Sequence, residues 1–152
     1  MPRVLDDFVC FAMYTASHAT TQAYREVLKP WELTYPQYLA MVVLATGERT
    51  VSELGVELSL DSGTLSPMLR RLGDRDLVER RRDSDDERVV RVRLTDKGRT
   101  VHDAVMDAVG CLVPAFLGRG SGSSGDLSEL VRQLGAITEN MREIAATRRA
   151  AA

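Results

Sequence analysis

Apolar positions return at helical spacing through the first part of the chain: Leu5, Phe8, Val9, Ala12, Ala16, Ala19, Ala23 and Val27. That stripe predicts one long helix from Leu5 to about Val27. Asp6 or Asp7 is expected to start it, since acids suit the positive end of the helix dipole. A second stripe beside it holds Cys10, Tyr14, Ser17, Thr21 and Tyr24. Cys10 and Tyr14 are thus neighbours at i, i+4. Tyr24 lies roughly 21 Å further on at 1.5 Å per residue, out of reach of Cys10 within one chain. An antiparallel helix from a second copy would bring it there, which is the geometry of a two-fold dimer.

Lys29-Pro30-Trp31 breaks this helix. Thr34, with Gln37 three residues on and Pro36 in the first turn, is a capping box that starts a second. Tyr38, Met41, Val42 and Ala45 form its expected core face, and Gly47 closes it. Thr50 to Leu58 reads as a third helix with Val51, Leu54 and Leu58 inward. Asp61 or Ser62 caps a fourth, Ser62 to Arg75. Leu77 to Arg82, an acidic tip (Asp83, Ser84, Asp85, Asp86, Glu87) and Arg88 to Leu94 then make a two-stranded ribbon. Val90, Val92 and Leu94 alternate with Arg91 and Arg93, the period of a half-buried strand. Thr95 caps a long helix along Val101, Val105, Val109, Leu112 and Val113, up to Pro114–Gly118. Gly118 to Gly125 has the composition of a flexible loop. Asp126 begins a final helix with Leu127, Leu130, Leu134, Ile137, Met141 and Ile144 on one face, and the tail from Ala146 is expected to fray. Helix, turn, helix and ribbon define a winged helix-turn-helix. The expected fold is therefore mainly α with a small β wing. It forms one domain over residues 1–152, with the winged module at about 34–95 and dimerisation helices at 5–30 and 96–148.

Composition narrows the function. The chain has 152 residues and a formal net charge of −2, so any positive field must belong to one face. Segment 60–95 carries about nine arginines and about as many acids, and charge alone decides little there. The order of elements decides more. A helix can enter the major groove, where base pairs show distinct donor and acceptor patterns. Short hydroxyls at its start reach base edges and phosphates. Ser62, Thr64, Ser66 and Arg70 are the candidates there, with Pro67 against a thymine methyl. Arg82 and Arg88 are the wing candidates, Arg88 for the adjacent minor groove and Asp86 as its brace. Tyr38 and Gln37 read as packing and capping residues. No run is apolar enough for a membrane, and the start lacks a signal-type core, so a cytoplasmic protein is expected. Cys10 and Cys111, with His18 and His102, match no metal spacing, and no cofactor is called for.

The run Asp86-Glu87-Arg88, followed by Leu94-Thr95-Asp96-Lys97-Gly98, is similar to the wing signature of the MarR family of winged-helix repressors. Cys10-Phe11-Ala12-Met13-Tyr14, Tyr24-Arg25, Leu33 to Tyr38 and Leu60 to Leu69 resemble the organic-hydroperoxide-responsive group of that family. The likeness covers about positions 5 to 100. It implies a homodimeric repressor that leaves palindromic operator DNA when organic hydroperoxides oxidise Cys10. The group's hydrogen-bonding tyrosines fall on Tyr14, Tyr24 and Tyr35, the latter two supplied by the partner subunit. Some members pair the sensor thiol with a second cysteine of the other subunit, here Cys111. Others are capped by a small-molecule thiol. For Cys111 a resolving role and a plain core position both stay open.

The chemistry suits those residues. A thiolate attacks the O–O bond, and the resulting sulfenic acid condenses with a thiol. Phe8, Phe11 and Trp31 are expected as apolar walls favouring organic peroxides. A buried small hydrophobe is the plainer role for Cys10. Two other functions fit parts of the chain: a MarR-type regulator responding to a small aromatic acid, and a thiol peroxidase. The latter lacks a CxxC motif, and an enzyme is not expected.

Overall fold

A computed structural model describes residues 4–5, 7–83, 86, 88–116 and 124–151. They fall into two compact units, Met1–Gly110 and Cys111–Ala152. The first holds α1 (Val9–Leu28), a 3-10 turn at Lys29–Trp31, α2 (Tyr35–Ala45), β1 (Arg49–Thr50), α3 (Val51–Leu58), α4 (Ser62–Asp74), β2 (Val78–Arg82), β3 (Val90–Leu94) and α5 (Asp96–Val109). A second 3-10 turn, Gly110–Leu112, follows. The second unit contains α6 (Val113–Phe116) and α7 (Ser124–Ala150).

The winged helix-turn-helix is formed as expected, mainly helical with a small antiparallel sheet. Thr34 and Gln37 make a full capping box at α2, and Thr50 and Glu53 make another at α3. Asp61, not Ser62, caps α4 through the N–H of Thr64. Thr95 caps α5 through the N–H of Gly98. Each oxygen satisfies a first-turn donor that has no intrahelical acceptor. β2 and β3 pair with Val78 opposite Leu94, Arg80 opposite Val92 and Arg82 opposite Val90. A third strand, β1, extends the sheet to the order β1-β3-β2.

The core gathers Leu28, Leu44, Leu54, Leu65, Leu69, Leu72, Leu77 and Val92, all essentially buried. In α2 the deepest side chains are Ala40, Met41 and Leu44, while Val42 and Ala45 are half-buried. Losing one such leucine to alanine costs about 2–5 kcal/mol.

Several boundaries depart from expectation. α1 begins at Val9, because Leu5 and Asp7 lie in a turn closed by the Phe8 N–H on the Leu5 carbonyl. Phe8 is its N-cap, without a side-chain cap bond and without an acid in the first turn. Asp6 lies outside the described residues. The fifth helix stops at Val109 instead of running to Val113; Gly110 is its C-cap and the chain tightens into a 3-10 turn. α7 begins at Ser124, two residues before Asp126, and stays helical to Ala150 where fraying was expected. The glycine- and serine-rich loop lies outside the described residues from 117 to 123. So does most of the acidic tip, at 84, 85 and 87.

Among the described residues three that are not glycine, Glu32, Ser59 and Asp76, adopt left-handed backbone with φ of 50, 54 and 57°. All three end helical turns in the same way. The next residue's N–H reaches back to the carbonyl five residues earlier: Leu33 to Leu28, Leu60 to Gly55 and Leu77 to Leu72. This is the Schellman closure, with a leucine as its apolar follow-on residue.

Candidate nucleic-acid interface and thiol site

α4 presents Ser62, Thr64, Pro67 and Arg70 to solvent, while Leu65, Met68, Leu69 and Leu72 hold its other face in the core. Ser66 is half-buried. Thr64 is not a free hydroxyl: it donates to the Asp61 carboxylate at 2.9 Å. That bond, with the Thr64 N–H, holds the Asp61 carboxyl below the usual carboxylate range. Beside the start of α4 runs an open groove of about 540 Å³, lined by Val51, Ser52, Val56 and Leu60 of the preceding elements and by Ser62 and Leu65. Val56 is 78% exposed there. It is an apolar contact candidate that the sequence did not single out.

The ribbon sorts its arginines by pairing. Arg93 is held by Glu79 at 2.6 Å. Arg91 is held by Asp83 and, at 3.7 Å, by Glu48. Arg81 lies 3.9 Å from Glu48. Among the described residues no ion pair engages Arg70, Arg82 or Arg88, and all three are exposed. Asp86 meets Arg88 through the backbone, its carboxylate accepting the Arg88 N–H at 2.9 Å. The bond leaves the Arg88 guanidinium to project. The near-balance of charge in the sequence thus hides an uneven distribution: Arg81, Arg91 and Arg93 of the sheet face acids, whereas among the described residues Arg70 on α4, Arg82 at the end of β2 and Arg88 before β3 have no ion pair.

The thiol lies in the first turn of α1. Cys10 is exposed and free, not the buried hydrophobe of the plainer reading. The late start of α1 places it among backbone N–H groups that lack intrahelical acceptors. Tyr14 is 65% exposed and stacks against Phe11 and His18, with ring centroids 6.5 and 6.1 Å away. Phe8 is exposed too. Trp31 is half-buried against the core, away from the first turn of α1 by the length of the helix.

Tyr24, near the other end of α1, packs its ring 4.6 Å from Tyr35 and 5.6 Å from Tyr38. Tyr38 donates its hydroxyl to the Met106 sulfur at 3.6 Å. Burial, and then the neighbouring phenol of Tyr35, raise the Tyr24 phenol above the ordinary tyrosine value. Burial, then Tyr24 and Tyr35, do the same for Tyr38. So the structure brings Tyr24 and Tyr35 together and leaves Cys10 and Tyr14 at the opposite end of the same helix. Cys111 is exposed in the second 3-10 turn, not on the face of a long helix.

Among the described residues no three His, Cys, Asp or Glu side chains gather as metal ligands. No described helix is long and apolar enough to cross a membrane.

The family model described as transcriptional regulator SarA/Rot matches residues 22–105. The organic hydroperoxide resistance transcriptional regulator of Bacillus subtilis (strain 168) is 36% identical over 140 residues, covering 91% of this chain and 92% of that one. The chain belongs to the MarR/SarA family of transcriptional regulators. The HTH-type transcriptional regulator TtmR of Methylorubrum extorquens (strain PA1) is 54% identical to this regulator over 99 residues. That match spans 64% of the regulator and about half, 51%, of TtmR. Among solved structures, AbfR of Staphylococcus epidermidis superposes with a TM-score of 0.71 at 33% identity, over 89% of the regulator and 94% of AbfR. AbfR has been solved in a reduced form bound to DNA and in a disulfide-formed state.

Two features besides Val56 escaped the sequence reading. Glu48 and Asp83, which hold the sheet arginines, came from a turn and from the acidic tip. Arg75 was read as the last residue of a helix, yet its guanidinium donates to the carbonyls of Trp31 and Glu32 at 2.6 and 3.0 Å. Only a fold that returns α4 to the end of α1 brings those groups together.

Proposed function

We propose that this regulator is a homodimeric repressor that binds palindromic double-stranded DNA and releases it when an organic hydroperoxide oxidises Cys10. The observation that carries the reading is the placement of Cys10 and the Tyr24–Tyr35 pair at opposite ends of one helix. Two such helices related by a two-fold axis and running antiparallel bring each thiol to the other subunit's phenol pair. The 36% identity to a full-length hydroperoxide resistance regulator supports it. So do the reduced DNA-bound and disulfide-formed states of AbfR.

In this mechanism the Cys10 thiolate attacks one peroxide oxygen. The O–O bond breaks, an S–O bond forms, and the other oxygen leaves as an alcohol after taking a proton. Tyr14 and, across the dimer, Tyr24 and Tyr35 of the partner subunit donate hydrogen bonds to the sulfur and then to its oxygen. The sulfenic acid condenses with a thiol, expelling water. Cys111 of the partner subunit and a small cellular thiol are the two candidates. For DNA, Ser62, Thr64, Ser66, Pro67 and Arg70 on α4 face the major groove. Arg82 and Arg88, the latter set by Asp86, serve the wing. The two α4 helices must present themselves about one duplex turn apart, roughly 34 Å, so a modest rearrangement lowers affinity steeply.

The test uses a DNA duplex selected from a random pool by the reduced protein. Cys10→Ser is expected to bind it and to ignore cumene hydroperoxide. Release of that variant by the peroxide sinks the mechanism. Intact mass after stoichiometric peroxide separates the thiol sources: a doubled mass lost in Cys111→Ser marks a bridge between subunits, and a small adduct marks an external thiol.

A further inference from the structure

Arg75 stands where two helix ends meet. α4 finishes at Asp74, and the Arg75 side chain turns onto the end of the 3-10 turn that follows α1. There it donates to the carbonyls of Trp31 at 2.6 Å and Glu32 at 3.0 Å, with the Glu32 carboxylate 3.9 Å away. Its own carbonyl accepts from the Lys97 ammonium at 2.7 Å. The next carbonyl, of Asp76, accepts the Thr95 hydroxyl at 2.7 Å. Helix ends carry unsatisfied carbonyls and the negative pole of the dipole. Here a planar guanidinium serves one end and an ammonium serves the other.

The position matters because of what flanks the gripped turn. Tyr24 lies just before it on α1, and Tyr35 is the first residue of α2 after it. Leu28 and Leu33, on either side, are anchored in the core. Any change in the relative setting of Tyr24 and Tyr35 must therefore pass through residues 29–34. Trp31 and Glu32 are the residues of that segment bonded to the end of α4. Glu32 is held there in left-handed backbone at φ 50°, a conformation that costs a residue other than glycine some energy unless its surroundings fix it.

We propose that Arg75 is the positioning residue that transmits the state of the thiol–tyrosine site to the DNA-reading helix. The coupling rests on the oxidation reading above and adds its route. Movement of Tyr24 and Tyr35 on oxidation displaces the 29–34 turn, and the two-pronged bond to Arg75 carries the displacement to the C-terminal end of α4. A lysine in its place keeps the charge but loses the planar fork.

The experiment compares the affinity of the selected duplex for the reduced dimer and for dimer fully oxidised at Cys10 by cumene hydroperoxide, with oxidation verified by intact mass. The wild-type ratio of dissociation constants is expected to be about tenfold or more. In Arg75→Gln, and in Arg75→Lys as the milder variant that keeps the charge, the ratio is expected to fall below about threefold. A merely structural role weakens both states by the same factor and leaves the ratio intact, and that result overturns the coupling. Should Arg75→Gln fail to fold, the Arg75→Lys ratio decides alone. If the wild-type ratio is itself one, the oxidation reading has failed and the coupling falls with it. A full ratio retained in both variants removes only the role of Arg75.

Discussion

The rings of Tyr24 and Tyr35 lie 4.6 Å apart, centroid to centroid, although one lies a turn before the end of the first helix and the other begins the second. Leu28 and Leu33, buried on either side of the turn between them, set the two phenols side by side as a pair. If they donate to the Cys10 sulfur of the other subunit, removing a hydroxyl while keeping its ring should slow oxidation without unfolding the protein. A hydrogen bond to a charged partner contributes about 1.5–3 kcal/mol. Tyr24→Phe and Tyr35→Phe are therefore each expected to slow the reaction of Cys10 with cumene hydroperoxide by roughly ten- to a hundredfold. Quenched-reaction mass spectrometry measures this, and wild-type rates in both variants would rule out the phenol pair.

Much of the fold was legible because its signals are local. Thr34 with Gln37, Asp61, and Thr95 announce helix starts through chemistry that needs no tertiary partner. The alternation of Val90, Val92 and Leu94 with arginines fixed the face of β3, and Val92 and Leu94 are indeed buried. Helix ends were harder to see. They use Glu32, Ser59 and Asp76 in left-handed backbone, where glycine would have been the visible mark. The leucine after each was the available signal. β1 has two residues and exists because Arg49 and Thr50 pair with Val92 and Arg91, a contact that spacing along the chain cannot reveal. The same holds for the site. The cysteine and tyrosines could be named from their types and from family likeness, but the capture of Arg91 by Asp83 and of two carbonyls by Arg75 depends on chain return.

The pairing of the ribbon arginines gives a graded expectation for DNA binding. An arginine that neutralises a phosphate contributes about one to the slope of log affinity against log salt. Arg88→Ala and Arg82→Ala are each expected to lower that slope by about one. The double variant Glu79→Gln with Arg93→Gln removes an internal pair at constant net charge, and its slope should match wild type. Fluorescence anisotropy across a salt series decides. Equal loss in all three would mean that the internal pairs open on the duplex.

The phenols of Tyr24 and Tyr38 titrate above the ordinary tyrosine value because burial disfavours their charged forms, with neighbouring tyrosines adding to the effect. In the unfolded chain they titrate near 10. The folded state therefore binds more protons than the unfolded one as pH rises past that value, and stability falls with pH there. This contribution is fully present below the unfolded value and is lost as pH climbs through the raised folded values. Thermal melts of Cys10→Ser, in which thiol ionisation at position 10 is absent, should show a melting temperature that declines above about pH 10. Replacing both tyrosines with phenylalanine should flatten that decline; an unchanged decline assigns it to other groups.

Of the described glycines, Gly98 in the first turn of α5 has the closest backbone neighbour, and its substitution is the most severe change expected. A Cβ built there would lie 2.0 Å from the Leu77 carbonyl oxygen and 2.9 Å from its carbon. The obstacle is backbone, and the same carbonyl accepts the Thr95 N–H at 3.2 Å. Relief would have to separate the start of α5 from the start of the ribbon, breaking the Thr95 and Lys97 bonds to the end of α4 as well. Gly98→Ala is therefore expected to cost about 3 kcal/mol or more. Gly73 in α4 supplies the contrast: a Cβ there would meet only the Val78 oxygen, at 3.8 Å. Gly73→Ala should be neutral or stabilise by about 0.4–1 kcal/mol through the unfolded chain. Paired denaturant melts of the two variants measure the difference, and equal midpoints would mean that the contact between Gly98 and Leu77 is looser than its geometry requires.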